Sequence, residues 1–130
     1  MTNDDNKANI ITHLMEKSDR ALSAARREYD AGDYGAASNR VYYACFYAVS
    51  AVLLNENQQF QKHSSLRAAM HKHLVKTGRI PPKLGKFFDR AFFERQEADY
   101  NALAKFEQAM LTERLHDAEL FVAEMKRLLA

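Results

Sequence analysis

Apolar side chains recur at spacings of three and four along most of this chain, and no segment alternates apolar and polar residues with period two. Such spacing is typical of amphipathic helices. The first apolar stripe begins near the polar cluster Asn3–Asp5 and is stopped by Gly32 and Asp33. The second helix, predicted from about Tyr34 to Asn55, is apolar around nearly its whole circumference, which predicts that it lies at the centre of the fold.

The polar run NENQQFQKHSS, which follows the second helix, predicts a loop, and Ser64 or Ser65 is predicted to cap a third helix. A threonine, a glycine and two prolines within residues 77–82 end that helix, and a proline start suits the fourth. Ala98–Lys105 is interpreted as a connection, and a last helix is predicted from about Glu107 to Leu129. The pattern therefore predicts an all-α fold, an antiparallel bundle of four to five helices.

Length and composition favour one domain that covers residues 1–130, because 130 residues with 47% hydrophobic content suffice for one core. The single Cys45 lies between apolar neighbours, which predicts a buried thiol in a reducing compartment. The N-terminus does not resemble a signal peptide, and no apolar run approaches the roughly 18 residues of a membrane span. We therefore expect a cytoplasmic protein without a membrane partner.

The net charge of +2 is unevenly distributed along the chain. Residues 62–95 contain nine Lys or Arg against two acidic residues, whereas residues 1–61 sum to −2 and residues 96–130 to −3. A strongly basic middle third indicates a partner that carries phosphate or acidic groups, although basic helices are also simply soluble.

Several kinds of chemistry lack support in the sequence. Glu113 and His116 form the only Glu-x-x-His pair, and helical geometry turns both away from the apolar stripe of the last helix, so no metal site is predicted. The chain has no Gly-x-Ser-x-Gly element and no glycine-rich phosphate loop, and Cys45 is placed in an apolar helix. We expect no cofactor.

The stretch FFERQEADY, residues 92–100, remains as a candidate site. Arg95 and Asp99 are four residues apart and can pair on one helix face, which is also the ordinary arrangement of a surface salt bridge. Arg95 and Tyr100 are five apart and converge only if the helix ends between them. The polar run QEAD makes that ending plausible, and it would leave a guanidinium on the helix and a phenol on the following loop.

Other polar residues could complete this site. Asn39 and Tyr43 share a face of the second helix, with Arg40 beside them, although polar residues early in an apolar helix usually mark its exposed end. Lys62 and His63 precede the third helix and add charge that is near only in sequence. We take Arg40, Tyr43, Lys62 and His63 as candidate contacts to RNA or a nucleotide.

The segments SNRVYYACFYAV, KHSSL, RQEADY and AELFVAEMKRLL occur in this order, and together they resemble the HEPN superfamily, in its branch of small stand-alone bacterial and archaeal domains. The resemblance spans about Tyr29 to Leu129. It implies an antiparallel helical bundle that commonly forms a homodimer across its later helices. It also implies a minimal nucleotidyltransferase as frequent partner and, in many members, metal-independent ribonuclease activity in toxin or defence systems.

The active members of that superfamily carry an Arg, four to six residues, and then a His at a helix end, aided by a polar residue on the second helix. Arg95 and Asn39 match two of these positions, but Tyr100 stands where the His is expected. A phenol with a pKa near 10 is a poor base at pH 7, whereas imidazole titrates near neutrality. Some partnered members carry a modified Tyr two positions after the His, a position that Ala102 occupies here.

Two hypotheses follow. In the first, the protein is an RNA-cleaving toxin in which Arg95 stabilises phosphate charge while Tyr100, Asp99 and Asn39 act on or orient the ribose. In the second, the scaffold is a module of toxin–antitoxin type that binds RNA, a nucleotide or the nucleotidyltransferase without chemistry. The missing His favours the second hypothesis.

Overall fold

The computed structural model describes residues 3–130, apart from the side chain of Asn3, and this part of the chain is helical and contains no strand. The helices are α1 (Asn3–Asp30), α2 (Tyr34–Asn55), α3 (His63–Met70), α4 (Pro82–Tyr100) and α5 (Gln108–Leu129). A π-helical turn over His71–Val75 directly continues α3. The all-α prediction is confirmed, and the predicted bounds of α2 match those observed.

The central position predicted for α2 is also confirmed. This helix packs against α1, α3, α4 and α5. Its fully buried residues include Tyr42, Cys45, Val49 and Leu53. Burial raises the pKa of the Cys45 thiol far above its usual range, so the thiol behaves as a small apolar group.

The α1–α2 hairpin is tightened by polar contacts as well as by apolar packing. Gly32 has a φ of +80°, a conformation that glycine adopts without strain, and it ends α1. The side chain of Asp33 then accepts a hydrogen bond from the backbone N–H of Ala36 and caps α2. Near the middle of α1, the buried Ser18 hydroxyl donates to the carbonyl of Ala44 in α2 at 2.7 Å.

A close approach between α4 and the π-helical turn sets the position of α3. A Cβ atom on Gly85 would lie 2.9 Å from ring carbon Cε1 of His71 and 2.9 Å from Cγ2 of Val75. Real Cβ contacts are longer than this, so only glycine allows α4 to pack this closely here. On α3 itself, His63 and Arg67 are four residues apart and share a face, and Arg67 and His71 both contact Asp89 of α4.

The predicted serine cap of α3 is wrong. The helix begins at His63, one residue before Ser64, and the residue that caps it is Lys62, whose side chain makes no capping hydrogen bond. The first turn closes through the N–H of Leu66 to the carbonyl of Lys62 at 3.1 Å. The earlier start places His63 inside the helix, where its ring contacts α2.

The predicted break in α4 before Tyr100 is also wrong. The helix runs without interruption from Pro82 to Tyr100, because Gln96, Glu97 and Ala98 are good helix formers. Asn101 marks the end of the helix: its amide donates to the Glu97 carboxylate at 2.8 Å, and its side-chain oxygen accepts from the N–H of Leu103 at 3.0 Å. The connection to α5 therefore begins at residue 101 rather than at residue 98.

Candidate functional site

Arg95 lies inside the protein and not on its surface. Its side chain continues the apolar stripe of α4 that includes Phe88 and Ala91, and only 7% of the residue is exposed. The guanidinium carbon lies 5.0 Å from the ring centre of Tyr42, 5.7 Å from that of Phe92 and 5.9 Å from that of Tyr43. Aromatic faces attract cations, so these rings replace part of the hydration that the charge has lost.

The pairing of Arg95 is incomplete. The predicted contact to Asp99 exists, but Nη1 lies 3.8 Å from the carboxylate oxygen, too far for a good hydrogen bond. Its Nε atom is buried and has no hydrogen-bond partner among the described residues. A buried charged donor without a partner costs free energy of folding, and such exceptions to ordinary pairing call for a functional explanation.

Asn39 links Asp99 to Arg40 on one side of Arg95. The Asn39 amide donates to both Asp99 oxygens at 3.1 Å, and its own oxygen accepts from Nε and Nη2 of Arg40 at 2.9 and 2.8 Å. Arg40 in turn lies 5.0 Å from the ring centre of Tyr43. The structure thus brings Asn39, Arg40, Tyr43, Arg95 and Asp99 together, as the sequence suggested.

The cavity on this side is acidic. It has a volume of about 450 Å³ and is bordered by the carboxylates of Glu28, Asp33 and Asp99, with Arg40 as the one cation in its lining. Three carboxylates against one guanidinium disfavour a phosphate group. A further cavity, of about 430 Å³, has no charged side chain among its lining residues, all of which are described.

A second polar contact near Arg95 joins Tyr42 of α2 to His63, the first residue of α3. The Tyr42 hydroxyl, which is fully buried, lies 2.6 Å from Nδ1 of His63. The His63 ring stacks on Phe46 with 4.5 Å between ring centres. The sequence pattern indicated no spatial link between His63 and the candidate site. In the structure His63 contacts Tyr42, whose ring packs against Arg95.

The pKa shifts of this group show which charges are close. Burial raises the pKa of Tyr42 well above its usual range, while the charges of Arg95 and Arg67 act in the opposite direction. Burial also lowers the pKa of His63, and the charge of Arg95 lowers it further. Arg95 and His63 thus contact one buried tyrosine that stays protonated at neutral pH.

Arg67, on α3, adds a second guanidinium near Tyr42, His63 and Arg95. Its guanidinium carbon lies 4.9 Å from the ring centre of Phe92, the same ring that Arg95 contacts. Its only anionic contact within the described residues is a 3.4 Å hydrogen bond to Asp89, which also binds Nε2 of His71 at 2.9 Å. About 40% of the Arg67 side chain is exposed, so its charge reaches solvent.

Tyr100 does not meet Arg95 within the chain. Because α4 continues through both residues, their side chains point about 140° apart around the helix axis. Tyr100 is 80% exposed, whereas Arg95 is buried. The expected convergence of phenol and guanidinium is therefore wrong in the single chain. Lys62 is exposed at the start of α3.

Sequence reasoning missed Tyr42 and Arg67 as members of the site. Tyr42 belongs to the second helix, which was predicted to be apolar around nearly its whole circumference, and no local pattern indicates that its hydroxyl bonds to a residue 21 positions away. The burial of Arg95 was also missed, although its position could have shown it: it lies four residues after Ala91 on the inward stripe of α4.

Comparison with known proteins bears on this arrangement. The family model described as "HEPN domain" matches residues 11–128. The chain belongs to the HEPN family. It is 36% identical over 123 residues to "UPF0332 protein" of Thermotoga maritima, covering 95% of this chain and 93% of that protein. It is 31% identical over 119 residues to "Putative toxin MJ0142" of Methanocaldococcus jannaschii, covering 92% of this chain and 81% of that protein.

Two further observations describe this HEPN chain. Within residues 3–130, no group of three or more His, Cys, Asp or Glu side chains is arranged to hold a metal ion. Glu113 contacts Arg114 at 3.6 Å and His116 is exposed, so the one Glu-x-x-His pair lies on the outer face of α5. None of the helices described is long and apolar enough to cross a bilayer.

The lowered pKa of His63 predicts a pH dependence of stability. When the pH falls below about 6.5, the ordinary pKa of histidine, His63 is protonated in the unfolded chain. In the folded chain His63 stays neutral until the pH is lower, because its pKa is lowered. The free energy of unfolding contributed by this site is therefore complete above pH 6.5 and decreases as pH falls towards the folded pKa. Urea unfolding of the wild type and of His63→Gln between pH 5 and pH 8 measures the free energy of unfolding as a function of pH. The two curves should converge at acid pH, and parallel curves would contradict the assignment.

Proposed function

We propose that this protein is the HEPN module of a toxin–antitoxin or defence system, that it binds RNA through phosphate groups, and that it acts with a minimal nucleotidyltransferase. The toxin name carried by two relatives from Methanocaldococcus jannaschii supports the system-level part of this proposal. The basic middle third of the chain supports a ligand that carries phosphate.

The observation that carries the proposal is the burial of Arg95 with an unpartnered Nε. A structural role would be served better by an apolar side chain, because a buried cation needs full pairing and Arg95 is only partly paired, through the 3.8 Å contact with Asp99 and three aromatic rings. An incoming phosphate would supply the missing acceptor, since guanidinium groups bind phosphate oxygens through two parallel hydrogen bonds.

Exposed apolar side chains support the proposed homodimer. Phe93 and Tyr100 are seven residues apart on the outer face of α4, and they are 60% and 80% exposed. Leu103, in the connection that follows, is 87% exposed. Large apolar side chains grouped on one surface are typical of a protein interface. In this proposal Tyr100 contacts the second copy of the chain instead of Arg95 of its own.

The second candidate function is a metal-independent endoribonuclease. The buried guanidinium favours it, because a preorganised cation stabilises the negative charge that develops on the non-bridging phosphate oxygens in the transition state. Tyr100 would act there from the other protomer of the dimer, with Asp99 and Asn39 as orienting groups.

One experiment separates the two functions. The purified full chain is incubated with end-labelled single-stranded RNA in EDTA, and binding and cleavage are read from the same samples. RNA that is bound but intact supports the binding module. Cleavage that persists in EDTA and is lost in Arg95→Met supports the ribonuclease. Wild-type protein that neither binds nor cleaves RNA at high micromolar concentration contradicts both.

The partner is tested separately. The chain is co-expressed, with a tag on one component, with the product of a neighbouring nucleotidyltransferase gene. We expect the two proteins to co-purify in a fixed ratio and to remain together during size-exclusion chromatography. Failure of a well-folded pair to associate would contradict the proposed partnership and would leave RNA binding to be decided by the first experiment.

A further inference from the structure

The two sides of Arg95 differ in charge and in free hydrogen-bonding capacity. On the side of Asn39, the Asp99 carboxylate and the Asn39 amide bind each other, and the adjoining cavity carries three carboxylates. On the side of α3, Arg67 adds a second guanidinium, and the one carboxylate in contact with it among the described residues is Asp89 at 3.4 Å, so two guanidinium groups face one carboxylate. An anion that approaches Arg95 therefore meets repulsion on the first side and attraction on the second.

The hydrogen bond between Tyr42 and His63 fixes which ring nitrogen carries the proton. The Tyr42 hydroxyl is fully buried, and Nδ1 of His63 is its one hydrogen-bond partner among the described residues. A buried hydroxyl hydrogen needs an acceptor, so Tyr42 donates and Nδ1 accepts. A neutral imidazole whose Nδ1 accepts carries its proton on Nε2, and this nitrogen makes no hydrogen bond within the described part of the chain.

From these observations we propose that His63, in its neutral form with the proton on Nε2, binds one phosphate group together with Arg67 and Arg95. Tyr42 is a positioning residue that sets the tautomer. The inference rests on the proposed RNA binding and deepens it: the ligand group is a backbone phosphodiester of single-stranded RNA, held on the α3 side of Arg95. His63 is a donor there, and it is not the base that the missing motif His would have supplied.

The site is built so that each member can act. His63 is partly exposed and Arg67 reaches solvent, while the buried Arg95 packs on the same two rings, Tyr42, which His63 contacts, and Phe92, which Arg67 contacts. The stack of His63 on Phe46 and the bond to Tyr42 hold its ring in place before a ligand arrives. Preorganised donors bind more tightly because less side-chain entropy is lost on binding.

The first test reads the tautomer directly. Long-range ¹H–¹⁵N correlation spectra of the full chain, labelled at histidine and recorded near pH 7.5, distinguish a protonated from an unprotonated ring nitrogen. We expect His63 to show protonated Nε2 and unprotonated Nδ1 in the wild type. Tyr42→Phe should release Nδ1 and give a mixture of tautomers. A proton on Nδ1 in the wild type would overturn the proposal.

The second test uses matched substitutions and fluorescence anisotropy with a labelled single-stranded oligoribonucleotide. His63→Gln keeps an N–H donor and should retain binding within a few fold, whereas His63→Phe keeps the stack on Phe46 and should weaken binding about tenfold or more. Arg67→Met should weaken it to a similar extent. Arg20→Met removes one charge from an exposed position on α1 and should change little.

The outcomes separate this inference from the proposed function. If the wild type binds RNA but His63→Phe and Arg67→Met bind as well as the wild type, the site is wrong while RNA binding stands. If the wild type does not bind RNA, titration with inorganic phosphate still tests the site through the Arg95 Nε–H and His63 Nε2–H resonances. Shifts that disappear in Arg67→Met then support a phosphate site without RNA binding, and unchanged resonances overturn both.

Discussion

Glu94→Ala is expected to lower the free energy of unfolding by about 3 kcal/mol or more. Glu94 accepts from Nε of Arg114 at 3.1 Å and from its Nη2 at 2.9 Å, and the pair joins α4 to α5. The two side chains are only 13% and 12% exposed. Removal of the carboxylate leaves a guanidinium that is largely shielded from water and has lost a bidentate partner.

A neighbouring carboxylate provides the control for this prediction. Glu113 also contacts Arg114, but at 3.6 Å and with 65% of its side chain exposed. Glu113→Ala should therefore change the free energy of unfolding by less than about 0.5 kcal/mol. Urea unfolding followed by circular dichroism measures both variants. Equal effects of the two substitutions would show that the buried ion pair does not hold α4 and α5 together.

Arg95→Met is expected to leave the protein as stable as the wild type or to stabilise it by about 1–2 kcal/mol. Methionine has nearly the length of the arginine side chain and packs well against aromatic rings. The substitution loses the contacts with the Tyr42 and Phe92 rings and the 3.8 Å contact with Asp99. It also removes a buried charge whose Nε has no partner in the described structure, and we expect this gain to match or exceed the loss.

Arg95→Ala separates the effect of charge from the effect of packing. It removes the same charge but leaves a cavity beside Tyr42, so it should be less stable than Arg95→Met by about 2 kcal/mol or more. Thermal and urea unfolding of the two variants and the wild type give the comparison. If Arg95→Met were destabilised by more than about 1 kcal/mol, Arg95 would be a structural residue, and its burial would need no ligand to explain it.

Most of the fold could be predicted from the helical spacing of apolar residues. The bounds of α2 and α5 and the central position of α2 follow from apolar positions that are local in sequence, and these predictions hold. The errors occurred at helix ends. The polar run after Arg95 was interpreted as a break in α4, but glutamine, glutamate and alanine are good helix formers and α4 continues through them. The helix ends only at Tyr100, before Asn101.

The site was harder to predict because its contacts join residues far apart in the chain. The pairs Tyr42 with His63 and Asn39 with Asp99 are separated by 21 and 60 residues. No local spacing indicates such pairs. The inward position of Arg95, by contrast, could have been predicted from local spacing, because Arg95 follows the buried Ala91 by four residues on α4. That position was nevertheless missed, because the four-residue spacing of Arg95 and Asp99 was interpreted as a possible surface salt bridge.

RNA affinity measured as a function of salt concentration tests the role of Arg95 most directly. Anisotropy titrations of the full chain with labelled single-stranded RNA are compared for the wild type, Arg95→Met and Arg20→Met. We expect Arg95→Met to bind at least about tenfold more weakly, with a slope of log affinity against log salt that is smaller by about 0.7, the value for one lost phosphate contact. Arg20→Met should match the wild type in both quantities. Equal affinity and equal slope for the wild type and Arg95→Met would contradict the claim that this buried guanidinium binds phosphate.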